Sequence, residues 1–315
     1  MRRTVLSLGN FDGVHLGHQA LLRTCRRHAE AAGAGVDVVA VTFDPPPVRV
    51  LRPDAEPLRI DTLQDRVRRL RHAGADRVEV LVPTPELLAE EAEGFIAGLV
   101  GRFHPVAIVE GPDFRFGRGR RGDLALLAAL GRDAGFEAVR LDRTHARLAS
   151  GESVAVSSSR IRALVAEGRV ADAACCLGRP LERVARVVRG EQRGRTIGFP
   201  TLNLDPADLD GCVLPAEGVY AARVAVSGDT QRRDLPAAVS IGTKPTFDGT
   251  VLTVEAHLIG FSGDLYGAQV RVGFVRCLRA QRRYEGVDAL RVALAADVEA
   301  AAEILAERPL EATPR

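Results

Sequence analysis

Tryptophan is absent from this chain of 315 residues, methionine occurs once, and eleven Phe with three Tyr bring the aromatic fraction to only 4%. A chain so poor in flat side chains lacks a platform on which the bases of a single-stranded nucleic acid could stack, and that class of partner is set aside. Lysine is as rare: Lys244 is the single one among 43 basic residues. A GC-rich genome produces such an arginine excess. With a net charge of only +2, no polyanionic partner follows from charge alone. Cys25, Cys175, Cys176, Cys212 and Cys277 form no CxxC pair and are odd in number. This speaks for reduced thiols in a cytoplasmic protein rather than for disulfides or zinc. No apolar run reaches the roughly 20 residues needed to span a bilayer. Met1-Arg2-Arg3 has the charge of a signal-peptide start, but the apolar run behind it is short and passes straight into a Gly- and His-containing segment. What remains is 46% apolar and 27% charged, the balance of a folded chain long enough for two cores.

That Gly- and His-containing segment, Gly9-Asn-Phe-Asp-Gly-Val-His-Leu-Gly-His18, is the most informative stretch present. An apolar run over residues 5–8 ends in a turn-rich stretch, and two histidines three apart follow at the start of a helical pattern. On a helix, that spacing sets both imidazoles on one face. Helix N-termini attract anions through free N–H groups and the dipole, so His15 and His18 are candidate phosphate ligands. The alternative is that they only cap a helix. A zinc site would need a third ligand at zinc spacing, and none is near.

The first half alternates apolar runs with helical patterns. Residues 36–43 read as a strand buried on both faces, and residues 77–82, 106–110 and 137–141 as further strands. Helices are expected over residues 61–74, 86–103 and 123–134. In the first of these, Leu63, Val67 and Leu70 form the stripe, Asp61 is the cap, and Arg66 to His72 form a solvated face. Strands alternating with helices imply a parallel, doubly wound sheet whose ligands bind at the carboxyl ends of strands. The loops 9–18 and 111–117 both follow such strands. Ser157 or Ser158 is a candidate cap for a helix ending near Gly168. A short helix over 170–177 leads to Gly178-Arg179-Pro180, taken as the hinge between domains. Beyond it the period changes to two. In residues 251–258, Leu252, Val254, Ala256 and Leu258 share one face, and Thr253, Glu255 and His257 share the other. Strands over 183–188, 218–226, 235–241 and 270–277 complete a small antiparallel barrel. A closing helix over 287–307 carries Leu290, Leu294, Val298, Ala301 and Leu305 as its stripe.

These residues resemble the bacterial bifunctional riboflavin kinase/FMN adenylyltransferase (FAD synthetase) family over nearly the whole length. In the first half the resemblance rests on the 9–18 segment, on Gly111-Pro-Asp-Phe-Arg-Phe-Gly117 and on Ser157-Ser-Ser-Arg-Ile-Arg162. In the second half it rests on Gly194-Arg-Thr-Ile-Gly-Phe-Pro-Thr-Leu-Asn203, Gly218-Val-Tyr220, Ile241-Gly-Thr-Lys-Pro-Thr-Phe247, Glu255-Ala-His257 and Asp264-Leu-Tyr-Gly267. The resemblance implies an α/β Rossmann-like nucleotidyltransferase domain over residues 1–177. It implies a Greek-key β-barrel riboflavin kinase domain of six strands with a C-terminal helix over residues 178–315. It also implies two ATP-dependent steps: phosphorylation of riboflavin to FMN, then adenylylation of FMN to FAD with release of pyrophosphate.

By the same resemblance, His15 and His18 act on ATP phosphates, and Gly9, Phe11 and Gly17 belong to the same nucleotide site. Ser158, Ser159 and Arg162 would hold phosphates from the opposite side, with Arg160 less firmly placed, and Asp113 and Phe114 would contact the flavin. In the kinase half, Thr201 would be a Mg²⁺ ligand with Asn203 beside it, and Glu255 the general base. Gly190, Arg195 and Gly198 belong to a phosphate-covering loop. His257 would orient substrate or be a satisfied structural histidine. The basic run 117–122 reads as a mobile loop rather than a phosphate contact. Pro46 stands where the family commonly has histidine, Leu202 where it has alanine, Gln281 where many members have Glu, and Tyr284 where they have Phe. A riboflavin kinase with a weak or inactive adenylyltransferase half, and a non-catalytic flavin-binding regulator, are the alternatives. Small molecules are the expected partners, with neither nucleic acid nor membrane, and an oligomer is compatible with the sequence.

Overall fold

The computed structural model describes residues 2–55, 57–190, 193–227, 234–246 and 249–306, with backbone only at 193, 244–246 and 249–251. Phe247, Glu191 and Gln192 of the motifs above, and Glu307 at the expected end of the last helix, lie outside the described residues, as does the Lys244 side chain. The chain forms two compact units: residues 1–146 with 153–158, and residues 147–152 with 159–315.

In the first unit, β1 (Thr4–Leu8), α1 (Leu16–Ala32), β2 (Asp37–Phe43), α2 (Pro47–Leu51), α3 (Leu63–His72), β3 (Arg77–Leu81), α4 (Pro85–Ala89), α5 (Ala92–Phe103), β4 (Pro105–Glu110), α6 (Leu124–Ala134) and β5 (Glu137–Arg140) follow one another. The five strands pair in parallel in the order β3-β2-β1-β4-β5. Val38 to Val41 are wholly buried, as a strand covered on both faces requires. Val5, Val38, Ala40 and Val109 pack to one side with Leu22 and Cys25 of α1. Leu6, Val39, Val41 and Ile108 pack to the other with Phe95, Ile96 and Leu99 of α5 and Leu127 of α6. The order of strands reverses between β1 and β4, which puts the ligand crevice of such a sheet beyond their carboxyl ends.

Three expectations need correction. The helix expected over 86–103 is two helices, because Glu90 and Glu91 take extended backbone angles between α4 and α5. The cap of α3 is Thr62, whose hydroxyl accepts from the Asp65 N–H, while Asp61 is buried against Arg69 at 3.2 Å. The face of α3 from Arg66 to His72 is not simply solvated. Arg66 and Arg69 are among its most buried residues, paired with carboxylates and carbonyls that the helical pattern does not reveal.

Strands β6 (His145–Arg147) and β7 (Ser153–Ala155) form a two-stranded ribbon. Then come α7 (Ser158–Ala166), α8 (Val170–Leu177), β8 (Leu181–Val188), α9 (Arg193–Thr196), β9 (Leu202–Leu204), α10 (Pro206–Leu209), β10 (Gly218–Val226), β11 (Asp234–Thr246), β12 (Gly249–Leu258), β13 (Gln269–Ala280) and α11 (Val287–Ala306). The last six strands close a barrel in the order β10-β11-β12-β9-β8-β13. Val254, Ala256 and Leu258 point inward and Glu255 and His257 stay half-exposed, as the alternation predicts. Tyr220 and Phe274, both fully buried, meet edge to face at 5.7 Å inside it.

On α11 the buried line is Ala293, Asp297, Ala301 and Leu305, spaced four apart. Leu290, Leu294 and Val298 of the expected stripe lie beside it, half-buried. Asp297 was missed because an acid interrupts an apolar pattern. It accepts two hydrogen bonds from the Arg279 guanidinium, at 2.9 and 2.6 Å. All five cysteines are free; Cys25, Cys176 and Cys212 are buried, but Cys277 is exposed. Asp297→Ala would leave the Arg279 charge half-buried without its partner. Its expected cost is roughly 2–4 kcal/mol, read as an earlier urea transition of the barrel, with Asp297→Asn milder.

Candidate active sites in the two units

The first site forms at the switch between β1 and β4. The loop leaving β1 is bent by two non-glycine residues with positive φ, Phe11 at 48° and Val14 at 37°, a conformation that a β-branched residue rarely accepts. Polar groups over-determine it. The Asp12 carboxylate accepts from the N–H groups of Ile60, at 2.9 Å, and Asp61, at 3.1 Å. The buried Arg66 guanidinium donates to the carbonyls of Asn10, at 2.9 Å, and Phe43, at 3.0 Å, and to Asp44 Oδ1, also at 3.0 Å. Ser158 Oγ donates to the Asp12 carbonyl at 2.8 Å.

The loop delivers His15 to the N-cap position of α1, where its Nδ1 accepts from the His18 N–H at 3.4 Å. His15 therefore caps the helix, and its ring stacks on that of His18, with centroids 3.6 Å apart. Phe11 closes on His18 edge-on at 5.1 Å. A Cβ on Gly17 would stand 3.1 Å from His15 Cε1, so glycine is what lets the backbone lie under the rings.

Both histidines open into a cavity of about 340 Å³. Gly9, Phe11, Gly17, Asp113, Phe114 and Ser158 contribute to its lining. Besides the two histidines, six of the site residues expected from the first half line this cavity, whereas the other two, Ser159 and Arg162, lie on α7 in the second unit. Pro46 precedes α2 and is not among the lining residues. The basic run 117–122 closes as a turn in which Phe116 and Gly122 exchange backbone hydrogen bonds of 3.1 and 2.9 Å.

Two lining groups have displaced proton affinities. Burial, aided by neighbouring His15, lowers His18 well below the usual imidazole range. His18 Nδ1 is enclosed with no hydrogen-bond partner. A buried polar atom left open toward a cavity is a group that a ligand can satisfy. Glu110, at the end of β4, was missed by sequence reasoning because it ends an apolar strand. It is buried, accepts from the Leu8 N–H at 2.5 Å, and is pushed well above the usual carboxylate range by loss of water, against that hydrogen bond.

The second site lies on the barrel. Asn203 and Glu255 are direct partners across β9 and β12, and Thr201 Oγ1 donates to Glu255 Oε2 at 3.2 Å. The predicted trio is thus brought together. A Cβ at Gly190 would overlap the Asn203 side chain, and one at Gly194 would overlap the Phe199 carbonyl. The absence of a side chain at these two positions lets the backbone pass close to Asn203 at Gly190 and to Phe199 and Thr201 at Gly194. Gly198 has φ of 90°, and Arg195 is exposed on α9. His257 Nδ1 lies 2.8 Å from the Pro200 carbonyl and Phe199 packs edge-on against its ring, so His257 pins the segment carrying Thr201. Gln281 Nε2 donates to Ser240 Oγ at 2.8 Å, and Ser240 pairs with Glu255 in the ladder. Leu202 alternates away from Thr201 and Asn203, opposite Ala256. Among the described residues no cluster of three or more His, Cys, Asp or Glu could hold a metal.

Sequence comparison assigns each half of the chain to a family. The FAD synthetase family matches residues 1–160 and the riboflavin kinase family residues 177–305. The bifunctional riboflavin kinase/FMN adenylyltransferase of Escherichia coli K12 is 36% identical over 93% of this chain and 90% of its own length. The chain belongs to the bifunctional riboflavin kinase/FMN adenylyltransferase family. Its counterpart in Haemophilus influenzae is 34% identical over 94% of the chain and 92% of its own length. A crystal structure from Streptococcus pneumoniae, described as a macrolide-efflux protein, superposes with a TM-score of 0.84 at 31% identity, over 96% of this chain and 94% of its own. Among the described residues of the present chain, no helix is long and apolar enough to cross a membrane. The parallel-sheet unit is thus nucleotidyltransferase-like, and the closed barrel with its terminal helix has the riboflavin kinase fold.

Two outcomes follow for this family member. Glu110 binds its proton more tightly folded than unfolded, so its contribution to stability is full below the ordinary carboxylate pKa and is lost as pH rises through the folded value. Glu110→Gln should therefore gain stability over the wild type at pH 9 relative to pH 5. Each kcal/mol would appear as about 2–4 °C in melting temperature. Gly190→Ala should displace Asn203 and slow riboflavin phosphorylation about 10- to 100-fold, while conversion of supplied FMN to FAD is unchanged.

Proposed function

We propose that the chain makes FMN and FAD in sequence. Residues 178–315 would phosphorylate riboflavin with ATP, and residues 1–177 would transfer AMP from a second ATP to FMN, releasing pyrophosphate. The observation that carries this reading is that one chain presents both a histidine-lined cavity at a sheet switch point and an oxygen-rich trio, Thr201, Asn203 and Glu255, on a closed barrel. A cytoplasmic location fits the five free thiols.

In adenylyl transfer, an FMN phosphate oxygen attacks the α-phosphorus of ATP as the bond to pyrophosphate breaks. The nucleophile is already ionised, so the protein's work is alignment and stabilisation of charge on the leaving group. His15 and His18, stacked and fixed at the start of α1, donate to phosphate oxygens. His18 enters neutral, and the approach of a polyanion draws a proton toward it. Ser158, at the start of α7, holds a phosphate, and Asp113 and Phe114 border the flavin.

In the kinase step the ribityl hydroxyl must lose a proton as its oxygen attacks the γ-phosphorus of ATP. Glu255 accepts that proton. Its Oε2 already accepts a hydrogen bond from Thr201, which supports a role for this carboxylate beside Thr201 and Asn203. The Thr201 hydroxyl and the Asn203 amide oxygen are hard oxygen donors, few in number, as suits Mg²⁺, which keeps waters and phosphate oxygens in its shell. When bound there, Mg²⁺ would supply charge neutralisation on the phosphates. Gly190, Arg195 and Gly198 belong to the loop that covers those phosphates and excludes water.

Chromatography of the products of riboflavin, ATP and Mg²⁺ tests the reading. The wild type should give FMN and then FAD. Glu255→Gln should slow FMN formation by about 10²–10⁴-fold while still adenylylating added FMN. His15→Ala/His18→Ala should stop at FMN. A wild-type protein that makes FMN but no FAD above the double-alanine control would leave a riboflavin kinase alone.

A further inference from the structure

The cavity of the first unit is expected to take two anionic substrates, yet its fixed charges do not favour them. Its ionisable lining residues are His15, His18, Glu110, Asp113, Asp142 and Arg143. Burial holds His18 toward its neutral form and Glu110 toward its protonated one. Asp113 and Asp142 are carboxylates. Among the described residues, Arg143 is therefore the one permanently cationic side chain in the lining. In the ligand-free structure its Nη2 lies 2.7 Å from Asp113 Oδ1.

The surroundings fix the base of this arginine while its head stays exposed. Arg143 lies between β5 and β6. On one side the Leu141 N–H donates to the Glu110 carbonyl at 2.8 Å, and on the other the Thr144 carbonyl accepts from the Val156 N–H at 2.9 Å. Thr144 lies against Gly17, its Cβ 4.0 Å from where a Gly17 Cβ would stand, so the arginine is anchored next to the turn that carries the histidines. Its side chain is 59% exposed and that of Asp113 is 73% exposed. An ion pair so open to water is weak. A guanidinium fork on a phosphate forms two parallel charge-assisted hydrogen bonds and is stronger. These relative strengths favour exchange of the carboxylate for a phosphate.

We propose that Arg143 is a substrate-binding residue of this cavity, held by Asp113 in the empty site and released to a nucleotide phosphate when one enters. The proposal rests on the assignment of the cavity to adenylyl transfer. The phosphate can be that of FMN or the polyphosphate of ATP, and the two are separated by which Michaelis constant responds.

The test is steady-state FAD formation from FMN and ATP by the full chain and by Arg143→Gln and Arg143→Lys, with riboflavin phosphorylation in the same preparations as the control for folding. Arg143→Gln should raise KM for FMN, for ATP or for both by about 10-fold, equivalent to about 1.4 kcal/mol, with a smaller change in kcat. A rise for FMN alone assigns the FMN phosphate, and a rise for ATP alone the polyphosphate. Arg143→Lys, which keeps the charge but loses the fork, should recover part of the loss, and the rise of KM with added salt should be shallower in Arg143→Gln. Both KM values within twofold of wild type, with an unchanged salt dependence, would overturn the proposal. A loss in kcat alone that lysine does not repair would also overturn it, by reducing Arg143 to a structural role. If the wild-type protein makes no FAD from FMN, the assignment of the cavity itself fails, which is a separate result.

Discussion

The loop between β1 and α1 must hold a shape that its own residues resist. Positive φ at Phe11 and Val14 costs of the order of 1–3 kcal/mol at each position, and the chain keeps them there by hydrogen bonds drawn from elsewhere. Asp12 is tied to the backbone at Ile60 and Asp61, and Arg66 reaches from α3 to the carbonyls of Asn10 and Phe43. The position of His15 at the head of α1, the stacking of His18 on it, and the opening of both into the cavity all descend from this bracing. Arg66 acts on the histidines at one remove, through the backbone carbonyls that it holds.

The barrel reaches a comparable result by other means. Asn203 and Glu255 are set by strand register, and neither they nor Thr201 takes a positive φ. What the barrel requires is absence of bulk, at Gly190 and Gly194, so that the backbone can pass close to Asn203 and Phe199. One site is therefore held by buried charge around a strained loop and the other by pairing with space left open. Substitutions that weaken buried polar contacts will bear on the first, and those that add volume on the second.

Where the chemistry followed simple periodicity, the sequence was legible. The fully apolar β2, the alternation of β12 and the Thr-x-Asn spacing on an extended segment each project from residue types alone, and the structure places them as that projection requires. The family motifs extended this to the cavity at His15, His18, Asp113 and Phe114. The failures have a common cause. Arg66, Arg69, Glu110 and Asp297 are charged residues that tertiary contacts bury, and a one-dimensional pattern assigns charge to solvent. The break between α4 and α5 was hidden for a related reason: Glu90 and Glu91 are ordinary helix formers, and only their backbone angles show that the helix stops.

Closure of the barrel has a further consequence. A sheet without ends offers no row of unpaired N–H and C=O groups to a passing strand. In the first unit the sheet does end, at β3 and β5. Both are short, and Arg77 and Glu79 on one, with Glu137 and Arg140 on the other, set charges along them. Edge-to-edge growth at high concentration is thereby closed off by topology in one unit and discouraged by charge in the other.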